Sequence, residues 1–270
     1  MDHVAGVARA AVAVTTEGNI LVEACVDSVA SAIAAERGGA RRVELCDALF
    51  DGGTTPSAGM IAACKEAVSI PVFAMIRPRG GGFVYSDVER DVMRRDIGIA
   101  RELGADGVVL GGLLRNGDVD MPLVRMFVEA ARGLPVTFHR AFDLTPDLAA
   151  SVESLAESGV QRALTSGGAP TAAEGVSVLA KLVRQAGSRF VVLAGGGVRE
   201  ENVRSLVAAS GVREVHVRLT RVTTNGEGRG PRELRVRRPL PQDETAWEET
   251  DEHRVRSFVQ AVTLSTPCPQ

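Results

Sequence analysis

Eight short apolar runs, each followed by a stretch with helical spacing, recur along this chain, and that repetition constrains its fold more than anything else in it. The runs are Ile20–Val26, Arg42–Cys46, Pro71–Arg77, Asp106–Gly111, Pro135–His139, Arg162–Thr165, Phe190–Ala194 and Glu214–Val217. Between them, apolar residues fall on one helical face: Val29, Ile33 and Ala34; Leu148, Val152 and Leu155; Val203, Leu206 and Val207. Strict strand-then-helix alternation implies a parallel sheet, and eight units is the number that closes a barrel. An open doubly wound sheet would place a Gly-rich turn after its first strand. Here that strand runs into Cys25-Val26-Asp27-Ser28, without glycine. The chain therefore reads as α/β, a (β/α)8 TIM barrel with eight parallel strands inside a ring of helices.

Turn residues punctuate the units where helices should stop. Gly38-Gly39, Gly104, Gly133, Gly159, Gly187 and Gly211 each precede a strand, and glycine supplies the left-handed cap of a helix end. Ser86-Asp87 and Thr145-Pro146 read as helix starts. The 270 residues suit one such barrel, which typically needs about 250. The barrel is expected over 19–265, closed by a helix over Asp251–Leu264. Residues 1–18 read as a disordered extension and 266–270 as a tail. The polar stretch 220–250, rich in Gly, Pro and Arg, reads as a long functional or mobile loop.

Composition excludes several classes. The net charge of -3 offers nothing to attract nucleic acid or anionic lipid. No window approaches the roughly 20 apolar residues of a membrane helix. Cys25, Cys46, Cys64 and Cys268 follow no zinc spacing and make no disulfide framework, which fits a reduced cytoplasmic setting.

A barrel of this kind works at the carboxyl ends of its strands. There the sequence places Glu23 and Cys25, Glu44 and Cys46, Arg77, then His139, Arg140 and Asp143, then Ser166, then Gly195, Gly196 and Gly197, with His216 and Arg218 on the eighth strand. Strand residues two apart face the same way, so Glu23 goes with Cys25 and Glu44 with Cys46. Buried carboxylates need partners, and Arg77, His139 and Arg140 are the expected ones. Glu44, Arg77, His139 and Asp143 form a candidate acid–base and anion-binding set. Glu23, Arg140, Ser166 and the glycines Gly195–Gly197 are candidate ligand contacts, the triplet through backbone N–H groups or simply as a tight turn.

The same strand ends resemble the CutC copper-homeostasis family. The likeness rests on Cys25-Val26-Asp27-Ser28, Val43-Glu44-Leu45-Cys46 with Gly52-Gly53-Thr54-Thr55-Pro56-Ser57, Ile76-Arg77-Pro78-Arg79-Gly80-Gly81 with Tyr85-Ser86-Asp87, Val136 to Asp143, Leu164-Thr165-Ser166-Gly167 and Gly195-Gly196-Gly197-Val198. It runs in order from about Leu21 to Val217. The resemblance implies a cytosolic (β/α)8 barrel, self-association into a homo-oligomer and a role tied to copper. After His216 the family usually has small residues, where this chain has Val217, Arg218 and Leu219, and its tail from Thr220 diverges.

Three functions remain open on the sequence, the blandest being a barrel used only as an interaction scaffold. Cu(I) is soft and prefers sulfur, and Cys25 and Cys46 end neighbouring strands, with Met75 in phase one strand further on. Copper held by mouth thiols is one reading. An enzyme acting on a small anionic or sugar-like molecule is another.

Overall fold

The computed structural model describes residues 20–224 and 246–263; the expected extension over 1–18 and the tail over 266–270 lie outside them. Eight strands, β1 (Leu21–Val26), β2 (Arg42–Leu45), β3 (Val72–Met75), β4 (Gly107–Leu110), β5 (Val136–Phe138), β6 (Arg162–Thr165), β7 (Val191–Ala194) and β8 (Glu214–Val217), form a closed barrel in sequence order. All neighbours are parallel, and β8 pairs back onto β1 with Glu23 opposite His216. The helices are α1 (Val29–Gly38), α2 (Ala58–Ala67), α3 (Asp87–Glu102), α4 (Met121–Ala131), α5 (Leu148–Glu157), α6 (Val176–Ala186), α7 (Glu200–Ser210) and α8 (Glu252–Thr263). Among the described residues no helix is long and apolar enough to cross a membrane.

Local chemistry sets the helix ends. Ser28, Ser57 and Asp120 accept from the backbone N–H three residues on, and Ser86 forms a reciprocal capping box with Glu89. The cap of α5 is Asp147, not Thr145-Pro146 as the sequence suggests, because Asp147 presents its carboxylate to Ala150 N. Gly39 ends α1 at φ 97°, a conformation a Cβ would disfavour.

Strand alternation sorts side chains into two separate environments. Val22, Ala24, Val43, Leu45, Val72, Ala74, Val108, Leu110, Val136 and Phe138 face outward and pack under the helices. Cys25, Cys46, Phe73, Met75 and Val109 form a second, smaller apolar cluster inside the barrel. The remaining interior is charged. At its amino-terminal end, Arg42 donates to Glu23 Oε2 and, at 2.6 Å, to Glu214 Oε2. Arg162 lies 3.4 Å from the same Glu214 oxygen, and its Nη1 reaches Thr137 Oγ1. Both guanidinium groups sit over the Phe73 ring, 5.0 and 5.2 Å from its centre, so one aromatic ring serves two cations.

Of the stretch expected as a loop over 220–250, the two ends are strands, while 225–245 lie outside the described residues. β9 (Thr220–Thr224) pairs antiparallel with β10 (Ala246–Thr250). The Thr- and Val-rich run at one end and the Trp-containing run at the other are strand-prone, and pairing brings them together. Thr250 N then donates to Ser31 Oγ at 3.1 Å, tying the hairpin to α1.

Removing one member of the interior charge network should be costly. Arg42→Met would leave Glu214 and half of Glu23 without their main partner, and a broken buried pair typically costs about 3–5 kcal/mol. Urea unfolding should show a loss of that order, whereas Arg95→Met, at an exposed ion pair, should change stability by less than about 1 kcal/mol.

Candidate functional site

The carboxyl end of the barrel opens into a cavity of about 230 Å³ walled by Cys25, Glu44, Cys46, Leu49, Gly52, Met75, Arg77, Phe83, His139, Arg140, Leu164, His216 and Arg218. Strand phase explains most of that wall. Cys25, Glu44, Cys46, Met75, Leu164 and His216 all lie on the inward-facing positions of their strands, two residues above or below another interior group.

On one side of the cavity are the thiols. One donor atom each from Cys25, Glu44 and Cys46 lies within 4.8 Å of the others. Cys46 Sγ donates to Glu44 Oε2 at 3.6 Å. Gly53 makes room for it: a Cβ there would stand 3.1 Å from Cys46 Sγ. His216 spans the two glutamates, with Nδ1 2.8 Å from Glu23 Oε1 and Nε2 3.7 Å from Glu44 Oε2.

The protonation states follow from these neighbours. Burial works to raise Glu23, but Arg42 and His216 outweigh it and hold the carboxyl at about 2. Burial pushes Glu44 up to about 8, against the pull of His216 and with the help of nearby Cys25 and Glu23. Burial disfavours a charged His216, yet Glu44, Cys25 and Glu23 together keep its pKa well above the ordinary value. Cys25 is drawn well below the usual thiol range by the hydrogen bond from Cys46, against its burial, and Cys46 is pushed correspondingly high. These neighbours favour a thiolate at Cys25 over one at Cys46.

The other side is built on Arg77 and His139. Arg77 does not meet the glutamates, contrary to the pairing expected from the sequence. Its Nη1 donates to Asp51 O at 2.8 Å and Gly53 O at 2.9 Å, and Nη2 to Gly81 O at 2.8 Å. The guanidinium thereby staples the β2–α2 and β3–α3 loops, and it lies 5.0 Å from the centre of the Phe83 ring. His139 packs its ring 4.8 Å from Phe83 and accepts at Nδ1 from Ala141 N at 3.2 Å. Gly111 leaves space for it, since a Cβ there would fall 2.3 Å from the imidazole. Burial first, then Arg77, depresses His139 to about 3.

Several candidate residues lie off the cavity wall. Glu23 sits beneath it, fully buried and bonded to Arg42 and His216. Asp143 turns to its own neighbours: it accepts from Arg140 Nε at 2.8 Å, from Ser166 N at 3.0 Å and from Gly168 N at 3.0 Å. Ser166 accepts from Arg140 Nη2, so Asp143 and Ser166 fix Arg140, which does reach the wall. The glycines Gly195, Gly196 and Gly197 do not line the cavity. A Cβ on Gly195 would strike Leu164 at 2.4 Å, and one on Gly196 would press on Arg140 Nη1 at 3.0 Å.

Three interior residues escaped the sequence reading, Arg42, Arg162 and Glu214, while His216 was placed at the mouth but given no role. Their signal was present. Arg42 is in phase with Glu44 and Cys46, and Glu214 with His216 and Arg218. Arg218 reaches the rim, where it pairs with Glu248 of β10 at 2.7 Å.

Fold and site together define a TIM barrel whose mouth joins two thiols, a protonatable glutamate and a histidine. The CutC family model matches residues 20–220, and the chain belongs to that family. It is 50% identical over 196 residues to a copper homeostasis protein cutC homolog of Mus musculus, covering 73% of this chain and 72% of that one. A family protein CutC of Xanthomonas campestris pv. campestris (strain B100) is 46% identical over 242 residues, with 88% and 97% coverage. The crystal structure of a CutC protein from Streptococcus agalactiae superposes with a TM-score of 0.71 at 38% identity, over 73% of this chain and 97% of that chain.

His139 offers a test through pH. The unfolded chain takes up a proton near the ordinary 6.5 that the folded chain refuses until about 3. Stability from this group is therefore complete above 6.5 and drains away as pH falls towards 3. Urea midpoints followed from pH 7 to pH 4 should fall less steeply in His139→Gln than in the wild type; equal slopes would contradict a buried neutral imidazole.

Proposed function

We propose that this chain serves copper homeostasis by binding one Cu(I) ion between Cys25 and Cys46. The observation that carries the reading is the meeting of two thiols from neighbouring strands, with Glu44, within 4.8 Å at a buried site. Cu(I) is selected by thiolate and thioether sulfur. Met75 belongs to the same interior cluster as both thiols and would add a thioether. His216 would offer Nε2 once the incoming ion displaces the proton from it. Its Nδ1 is engaged by Glu23, the carboxylate–histidine arrangement that orients metal-binding imidazoles elsewhere.

The lowered pKa of Cys25 favours the thiolate that a soft ion needs. Walls of Leu49, Met75 and Phe73 keep water from competing. A reducing cytoplasm would hold both thiols free and the ion as Cu(I). The names of the relatives, copper homeostasis proteins, support the same reading.

Anaerobic titration against a chromophoric Cu(I) chelator should show about one ion bound per chain. The double substitution Cys25→Ser/Cys46→Ser should abolish binding, because a hydroxyl is a poor ligand for a soft ion. Cys64→Ser, at a thiol buried in the outer core, should leave it intact. Full binding by the double variant would overturn the assignment.

A further inference from the structure

We infer that the cavity also receives a small organic carboxylate, seated on its Arg77–His139 side. This goes beyond the copper reading and uses different residues.

Arg77 is 5% exposed, and among the described residues no carboxylate forms an ion pair with it. Its three hydrogen bonds go to backbone carbonyls, which leave its charge uncancelled. Arg77 Nε has no acceptor. The neighbouring Tyr85 hydroxyl contacts Arg77 but is neutral, so it leaves that charge uncancelled.

Beside it, His139 is 4% exposed. Because Nδ1 accepts from Ala141 N, the neutral ring carries its proton on Nε2. That buried N–H has no acceptor either. Arg77 and His139 both pack on Phe83 and both belong to the cavity wall. A buried cation without a counter-charge and two donors without acceptors are each costly. An incoming anion would relieve all three at once.

The wall selects the class of anion. One uncancelled cation suits a monoanion. The glycine triplet, the candidate cradle for a phosphate, lies off the wall. Leu49, Met75, Phe83 and Leu164 present carbon surface to a carbon skeleton. A space of about 230 Å³ admits an acid of only a few carbons.

The test is calorimetric titration of the copper-free full chain, kept under a copper chelator, with straight-chain monocarboxylates from acetate to hexanoate and with inorganic phosphate. One-site saturable binding is expected for the carboxylates, tightening with chain length until the cavity is full, with phosphate weaker than any of them. Arg77→Gln and His139→Phe should each weaken binding by roughly ten- to a hundredfold, the worth of a charged or buried hydrogen bond. Arg77→Gln also releases two loops. A second variant, Leu49→Trp, therefore fills the cavity without touching either donor, and it should abolish binding in a protein whose circular dichroism is unchanged. Absence of saturable carboxylate binding, preference for phosphate, or undiminished binding by folded Leu49→Trp would each overturn the inference.

Discussion

Everything inside this barrel depends on how one carboxylate, Glu23, is kept charged without water. It is fully buried, and an isolated charge there would be prohibitive. Two partners solve the problem from opposite sides: Arg42 on β2 and His216 on β8. Those are the two strands that flank β1 in the closed sheet. The Glu23–His216 pair therefore crosses the seam where the last strand meets the first, and the Glu23–Arg42 pair ties β1 to β2. Such buried pairs add little net stability compared with a well-packed apolar core, but they disfavour any register in which Glu23 loses either partner.

The same residue joins two halves of the interior. Below it, Arg42, Glu214 and Arg162 form a floor around Phe73 whose two positive charges are balanced by Glu214 together with Glu23. Above it, His216 carries the influence of Glu23 to Glu44 and Cys25. The unusual protonation states at the mouth thus have a structural origin several residues deeper. The outer face of every strand is conventional by contrast, with apolar side chains under amphipathic helices.

Much of the architecture was legible from period-two alternation and turn residues. The eight runs became eight strands because nothing in them competes with a parallel, doubly covered sheet. Alternation also placed Cys25 with Glu23 and Cys46 with Glu44. What it did not reveal was who faces whom. Glu23 meets Arg42 and His216 through the stagger between strands, a quantity set by barrel closure and absent from any one segment. Attention to strand ends also passed over Arg42, Arg162 and Glu214, which begin their strands. Arg77 was misassigned to the glutamates because its real acceptors are main-chain carbonyls, which carry no signature in a sequence. The hairpin went unseen for a similar reason: its two halves are far apart in the chain, and neither carries a turn signal that names the other.

That hairpin has a consequence for how such a chain tolerates change. The backbone leaves the described part of the molecule at Thr224 and re-enters at Ala246, and these two residues are paired partners. Behind them, Asp251 N is bonded to Leu219 O at 2.9 Å, and α8 docks on α1 with Val255 against Gly38. Thr250, the last residue of β10, is bonded to Ser31 of α1 and stands two residues before α8, so the pairing of β9 with β10 fixes where that helix begins. Substitutions that break the pairing would therefore be felt where α8 packs on α1, and not only in the two strands themselves.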